Sequence, residues 1–148
     1  MDPGEAANTF TSMLHAIDQK DWDSVRAAFA DWIYIDYSSL FGVPPATVGV
    51  RDHVAGWEAF ARHFSATQHI TGPIVTTIDG TDVVADTHVR AYHRMSGVPG
   101  GEVWMVAGHY DVRLRRVAGA WKIAAITLQV FYQDGNLSIP DAARARAG

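Results

Sequence analysis

His69 stands in the stretch ATQHITG (residues 66–72), where a helical pattern gives way to an alternating one, with Thr67 and Gln68 before it. Imidazole is the side chain whose ordinary pKa lies nearest neutrality, so His69 reads as a packed, hydrogen-bonded residue or as a general base. Three other residues change the weight of those readings. His93 closes an alternating run on its apolar face, Asp18 lies near the edge of an apolar helical stripe, and Tyr37 shares a face with Ile33 and Ile35. A carboxylate beside apolar surface is costly unless paired, and its cheapest partner is an imidazolium or a set of N–H donors. Asp18, His69, His93 and Tyr37 could therefore converge as acid–base groups. Two histidines and a carboxylate could also ligate a metal, but their wide separation gives no ligand-spacing signature. No metal and no cofactor is expected.

Helices and strands must bring these residues together. Phe10, Met13, Leu14 and Ile17 recur at helical spacing over about 5–19, and Asp21 caps a second helix whose inward residues are Trp22, Val25 and Phe29. A short β-rich run, WIYIDYSSLFG, follows, and GVPPATVG reads as a loop. Helix returns over 51–65. The rest reads as strands at about 69–78, 83–94, 103–117 and 120–131, with turns at Asp79-Gly80 and Ala118-Gly119 fixing an antiparallel meander. Three N-terminal helices on a strongly curved antiparallel sheet give an α+β, cone-shaped barrel. One domain, 1–148, is expected, with a core at about 5–132 and a frayed tail, PDAARARAG.

Strand alternation assigns faces. Odd positions from Val83 to His93 are the apolar ones, as are even positions from Trp104 to Leu114, so His93, Trp104 and Tyr110 point inward and His109 outward. Phe131 is expected to reach the interior too. His15, His53, His63 and His88 fall on faces expected to be exposed, while Trp22, Trp57 and Phe64 read as core.

Composition narrows the partners. The chain has 148 residues, no cysteine, a formal charge of −4 and 48% apolar residues. That length suffices to bury roughly two-thirds of the unfolded surface, and the missing cysteines exclude disulfides and thiolate chemistry. The charge, with no Lys/Arg run beyond Arg113, Arg115 and Arg116, speaks against nucleic acid. No window approaches a membrane span and the first residues carry no export signal, so a cytoplasmic location is expected.

The segments DQKDWDSVRAAFADWIYIDYSSL, ATQHITG, AYH and GAWKIA, taken together, resemble the scytalone dehydratase family within the SnoaL-like, nuclear-transport-factor-like superfamily. The resemblance covers most of the chain. It implies His69 as general base, a second histidine (His93) paired with the acid at the end of the first helix (Asp18), and Tyr37 holding a water that polarises a substrate carbonyl. Departures are specific. Ile17 stands where the family has a second tyrosine, and Gly108 and Tyr110 where a serine and an asparagine meet the substrate hydroxyls. Ile17, Gly108, Tyr110, Trp104 and Phe131 are thus expected to shape a pocket for a different substrate.

The expected activity is a cofactor-independent dehydratase acting on a β-hydroxy carbonyl of small apolar or cyclic type. Polyketide cyclisation and ketosteroid-type isomerisation begin with the same enolate, and a non-catalytic small-molecule binding module would use the same interior. A homo-oligomer, most simply a trimer, is expected through an outer sheet face carrying Val103, Met105 and Ala107.

Overall fold

The first helix, α1 (Pro3–Asp18), starts where Asp2 accepts a hydrogen bond from the Gly4 N–H at 2.8 Å, with Pro3 at its first position, where the missing N–H would have had no partner. Its stripe of Phe10, Met13, Leu14 and Ile17 is buried, as the spacing predicts. The computed structural model describes residues 2–147. The short α2 (Trp22–Ala27) is capped by Asp21, which accepts from the Ser24 N–H. Then come β1 (Phe29–Asp36), α3 (Ser38–Phe41), β2 (Ala46–Gly49) and α4 (Val50–Ala61). Phe29, read as the end of a helix, opens β1, and the Pro/Gly-rich segment read as loop contains β2. Both are short elements that gain their pairing from elsewhere in the chain.

The sheet continues with β3 (Ala66–Thr71), β4 (Val75–Asp79), β5 (Asp82–Arg94), β6 (Val103–Val117) and β7 (Ala120–Gly135). Its order is β2-β1-β7-β6-β5-β3, with β4 also paired to β5, giving a curved, unclosed sheet of seven strands with helices packed against it. The antiparallel meander of β4, β5, β6 and β7 has the predicted turns, after Asp79 between β4 and β5 and at Ala118-Gly119 between β6 and β7. One departure is topological: β1 runs parallel to β7, because it reaches that edge from the helical side rather than through a hairpin. Another is local. The strand expected over 69–78 splits at Gly72-Pro73, since proline has no N–H for the ladder, and the two carbonyls freed there accept from the buried Thr87 hydroxyl at 3.0 and 3.1 Å.

The alternation read from the sequence holds along β5 and β6, where Val83, Ala85, Val89 and Ala91, then Trp104, Val106, Tyr110, Val112 and Leu114, are buried. On the outer face the expectation was coarser than the structure. Met105 and Ala107 are already buried within one chain, and of the three only Val103 is exposed; Phe131 and Tyr132 are exposed as well. Arg113 bridges Asp79 and Asp82.

The C-terminal segment, read as a tail, is helical. It forms α5 (Ile139–Ala147), with Ile139 and Ala143 fully buried. No helix among the described residues is long and apolar enough to cross a membrane.

Two bulges set the phase of β7, one at Ala124 and one at Phe131. Ala107 faces Tyr132 and Gly108 faces Val130, so Phe131 is the extra residue and its side chain is 53% exposed. A Cβ at Gly108 would collide with the Gln129 carbonyl oxygen. Gly108 is therefore a site of close backbone approach. Gly108→Ala is expected to destabilise the fold by roughly 1–3 kcal/mol, measured by urea unfolding; unchanged stability would mean the bulge moves freely.

Candidate active site

Asp18 ends α1, where helix carbonyls lack partners and the dipole disfavours a negative charge. Three donors compensate. The Thr67 hydroxyl donates to Oδ1 at 2.9 Å, the His69 backbone N–H to Oδ2 at 2.8 Å, and His69 Nδ1 lies 2.7 Å from Oδ1. Thr67 and His69 meet the same carboxylate because residues two apart on a strand share a face. Burial would raise the Asp18 pKa, but the bonds from His69 and Thr67 outweigh it and hold the carboxyl below its ordinary value. An ionised carboxylate only accepts, so His69 Nδ1 carries a proton, and in the neutral ring the lone pair is on Nε2. The His69 side chain, 10% exposed, lines the cavity.

The turn after α1 is pinned to the turn before β3. The Lys20 ammonium donates to the Phe64 carbonyl at 2.7 Å, while the Lys20 backbone adopts φ +57°. A left-handed non-glycine residue costs roughly 1–2 kcal/mol, and this anchor, with the Lys20 and Asp21 N–H groups bonded back to Ile17 and Ala16, offsets it.

His93 occupies the next strand inward, opposite Thr67 on β3 and Trp104 on β6. Its ring stacks on Trp104 at 4.2 Å and 25°, and Nδ1 lies 3.2 Å from the Trp104 carbonyl. A carbonyl only accepts, so Nδ1 is protonated here as well and Nε2 is an acceptor. Burial, aided by nearby His69, lowers the His93 pKa to about 4. The ion pair expected between Asp18 and His93 is thus replaced by Asp18–His69. α1 ends against β3, and His93 lies a strand further in, 6.3 Å from His69 between ring centroids.

Two phenols complete the polar set. Tyr37 follows β1 at the start of α3, and Tyr110 lies on β6. Burial pushes the Tyr37 pKa well above its ordinary value, with Tyr110 adding to it, and burial lifts Tyr110 to about 12. Both therefore retain their protons and can donate to an oxyanion.

These groups surround a cavity of about 740 Å³ between α1, α4 and the concave face of the sheet. Ile17, Tyr37, His69, His93, Trp104 and Tyr110 all line it, as the sequence predicts. Gly108 and Phe131 do not: the first meets the Gln129 backbone, and the second faces outward because a bulge at Ala124 puts Ile126, Leu128 and Val130 on the inner face. Trp22, Trp57 and Phe64, read as core, line the cavity as well, and so does Arg144, which the frayed-tail reading left out. The spacing of Ile139 and Ala143 is the signal that could have revealed a docked helix there. His15 and His88 are exposed as expected, His63 is intermediate, and His53 is not exposed. The His53 ring packs at 4.2 Å from Trp57 with Nε2 buried and unpartnered, which lowers its pKa to about 4. Among the described residues, no three His, Asp or Glu side chains stand together as a metal-holding group.

Comparison with known proteins bears on this site. The family model described as SnoaL-like domain matches residues 2–127. A scytalone dehydratase-like protein, claB, of Passalora fulva is 27% identical over 125 residues, covering 78% of this chain and 76% of its own. The crystal structure of Kfla4162 from Kribbella flavida superposes with a TM-score of 0.87 at 32% identity, over 97% of both chains. The hexachlorocyclohexane dehydrochlorinase LinA-type3 of Novosphingobium barchaimii shares the fold alone, with a TM-score of 0.72 at 14% identity over 90% of this chain and 89% of its own.

The two low-pKa histidines make stability fall with acid in a defined window. Unfolded, His53 and His93 protonate near 6.5; folded, near 4. Between those values the unfolded chain holds more protons, so stability drops as pH falls from about 6.5 to 4. Asp18, with its depressed folded pKa, adds stability above its ordinary 3.8 that is lost as pH falls through the folded value. Urea unfolding at pH 7, 6 and 5 should show this decline, and His53→Gln should flatten it. A His93 imidazole seen by NMR to protonate above pH 6 would contradict the burial argument.

Proposed function

We propose that this chain, which belongs to the SnoaL-like domain family, is a cofactor-independent lyase that eliminates water from a β-hydroxy carbonyl compound. The observation that carries the reading is the 2.7 Å contact between Asp18 and His69 Nδ1, which leaves the other imidazole nitrogen as a base at the edge of an apolar cavity. The scytalone dehydratase-like relative supports dehydration as the class of reaction.

In the proposed step, His69 Nε2 removes the proton α to the carbonyl. The C–H electron pair becomes the enolate, whose oxygen accepts from the Tyr37 or Tyr110 hydroxyl. Asp18 orients the ring and stabilises the imidazolium as it forms, without taking the proton itself. His93 is neutral at ordinary pH and cannot supply a proton to the leaving group. It accepts a hydrogen bond from the substrate hydroxyl and so places it. The His69 imidazolium then returns the proton to the departing hydroxyl, the C–O bond breaks, the C=C bond forms, and water leaves. Acid–base catalysis of this kind contributes about 10²–10⁴-fold, and one oxyanion donor about 10²–10³-fold.

Cyclisation and isomerisation share the enolate but conserve mass, so product analysis separates them from dehydration: the expected product is lighter by one water. His69→Ala is expected to keep the fold and lower kcat by at least about 10²-fold. A variant that lost stability but kept its rate would return His69 to a packing role.

Asp18→Asn and Tyr37→Phe test the other two parts of the site. Asp18→Asn should reduce kcat by about 10²-fold or more with KM little changed, because it removes the group that orients and balances the base. Tyr37→Phe should cost roughly 10–10³-fold, since water or Tyr110 can substitute. Steady-state kinetics read both, and full activity in Asp18→Asn would sink the dyad.

A further inference from the structure

We infer that Arg144 makes the cavity mouth a binding site for the carboxylate of an otherwise apolar, aromatic or cyclic ligand. The inference rests on reading the cavity as the substrate site. Of the polar side chains lining it, Tyr37 and Tyr110 keep their protons, and His93 is neutral above about pH 4. Among the described lining residues, Arg144 is the sole Lys or Arg, and none is Asp or Glu. The Asp18 carboxylate stands behind His69.

A carboxylate placed deep in the cavity would lose its hydration to apolar walls and meet the field of Asp18. At the mouth it keeps part of its water and meets a guanidinium. Arg144 is well placed there. Its side chain is 48% exposed, and its guanidinium lies 4.4 Å over the Phe41 ring, which itself stacks on Tyr37. Stacking fixes the plane of the fork. Only Nη1 has a protein partner among the described residues, Asp141 Oδ1 at 3.2 Å. Asp141 is 85% exposed, so that pair is weak and displaceable, and the remaining N–H groups face a ligand in the two-pronged geometry that suits a carboxylate.

Such a contact has a consequence for orientation. With its acid held at the mouth, a ligand lays its ring against Trp57, Phe60 and Trp104 and directs its far end to His69. This is how a charge remote from the reacting carbons contributes to positioning. The burial of Ile139 and Ala143 holds α5, and Arg144 with it, against the body of the fold.

The test uses two probes of equal shape, naphthalene-2-carboxylate and naphthalene-2-carboxamide, with binding read from quenching of tryptophan fluorescence, since Trp22, Trp57 and Trp104 line the cavity. The wild-type protein should prefer the carboxylate by about five-fold, a modest factor because the site is half-exposed and screened. Arg144→Gln should abolish the preference without weakening carboxamide binding, and Arg144→Lys should keep part of it. Asp141→Asn should increase it by removing the competing anion. Equal affinities in the wild type, no binding of either probe, or a preference that survives Arg144→Gln would each overturn the inference. A carboxylate preference without any dehydration would sink the proposed function and leave this site standing. Dehydration without the preference would do the reverse.

Discussion

Everything in this molecule that could do chemistry is organised around one half-buried carboxylate in an unfavourable place. Asp18 sits at the negative end of a helix, partly removed from water, and remains ionised because three donors from two alternate residues of β3 converge on it. That requirement fixes the rest locally. The end of α1 must meet the start of β3, so the connecting turns are tied by the Lys20 ammonium, and a left-handed residue is tolerated there. It fixes the tautomer of His69 as well, and thereby which nitrogen faces the interior.

The interior is set by the sheet. A curved sheet with aromatic helices across its concave face leaves space that its own side chains do not fill. Low polarity within that space drives the remaining titratable groups to neutrality: His93 loses its charge, and Tyr37 and Tyr110 hold their protons. The result is a division of labour by environment. One imidazole is backed by a carboxylate and, in the proposed reaction, is the base; the other is backed by a carbonyl and is an acceptor. Two groups of the same type differ in role because of what stands behind each.

The outer shell shows the same economy in a different form. The bulge opposite Gly108 shifts the alternation beyond Phe131 and brings Gln133 round to the indole of Trp104, whose Nε1 donates to it at 2.8 Å. Trp104 is thereby held by its N–H on one side and by His93 stacking on the other. A single extra residue in one strand thus steadies the platform under the second histidine.

The sequence by itself determined what depends on short-range periodicity: the apolar stripe of α1, the faces of β5 and β6, the two hairpin turns, and so the inward direction of His93, Trp104 and Tyr110. It also supplied the resemblance from which His69, Asp18 and Tyr37 were assigned. Tertiary structure decided what depends on distance through space. Asp18 bonds His69 rather than His93 because α1 ends against the sheet edge, a relation no spacing encodes. Phe131 left the cavity because a bulge at Ala124 shifts the alternation by one residue, so that Ile126, Leu128 and Val130 face inward and Phe131 outward, and that register is set across the β6–β7 pair. The tail became a helix carrying Arg144 because Ile139 and Ala143 find apolar surface to cover, and a nine-residue helix has little stability until it does.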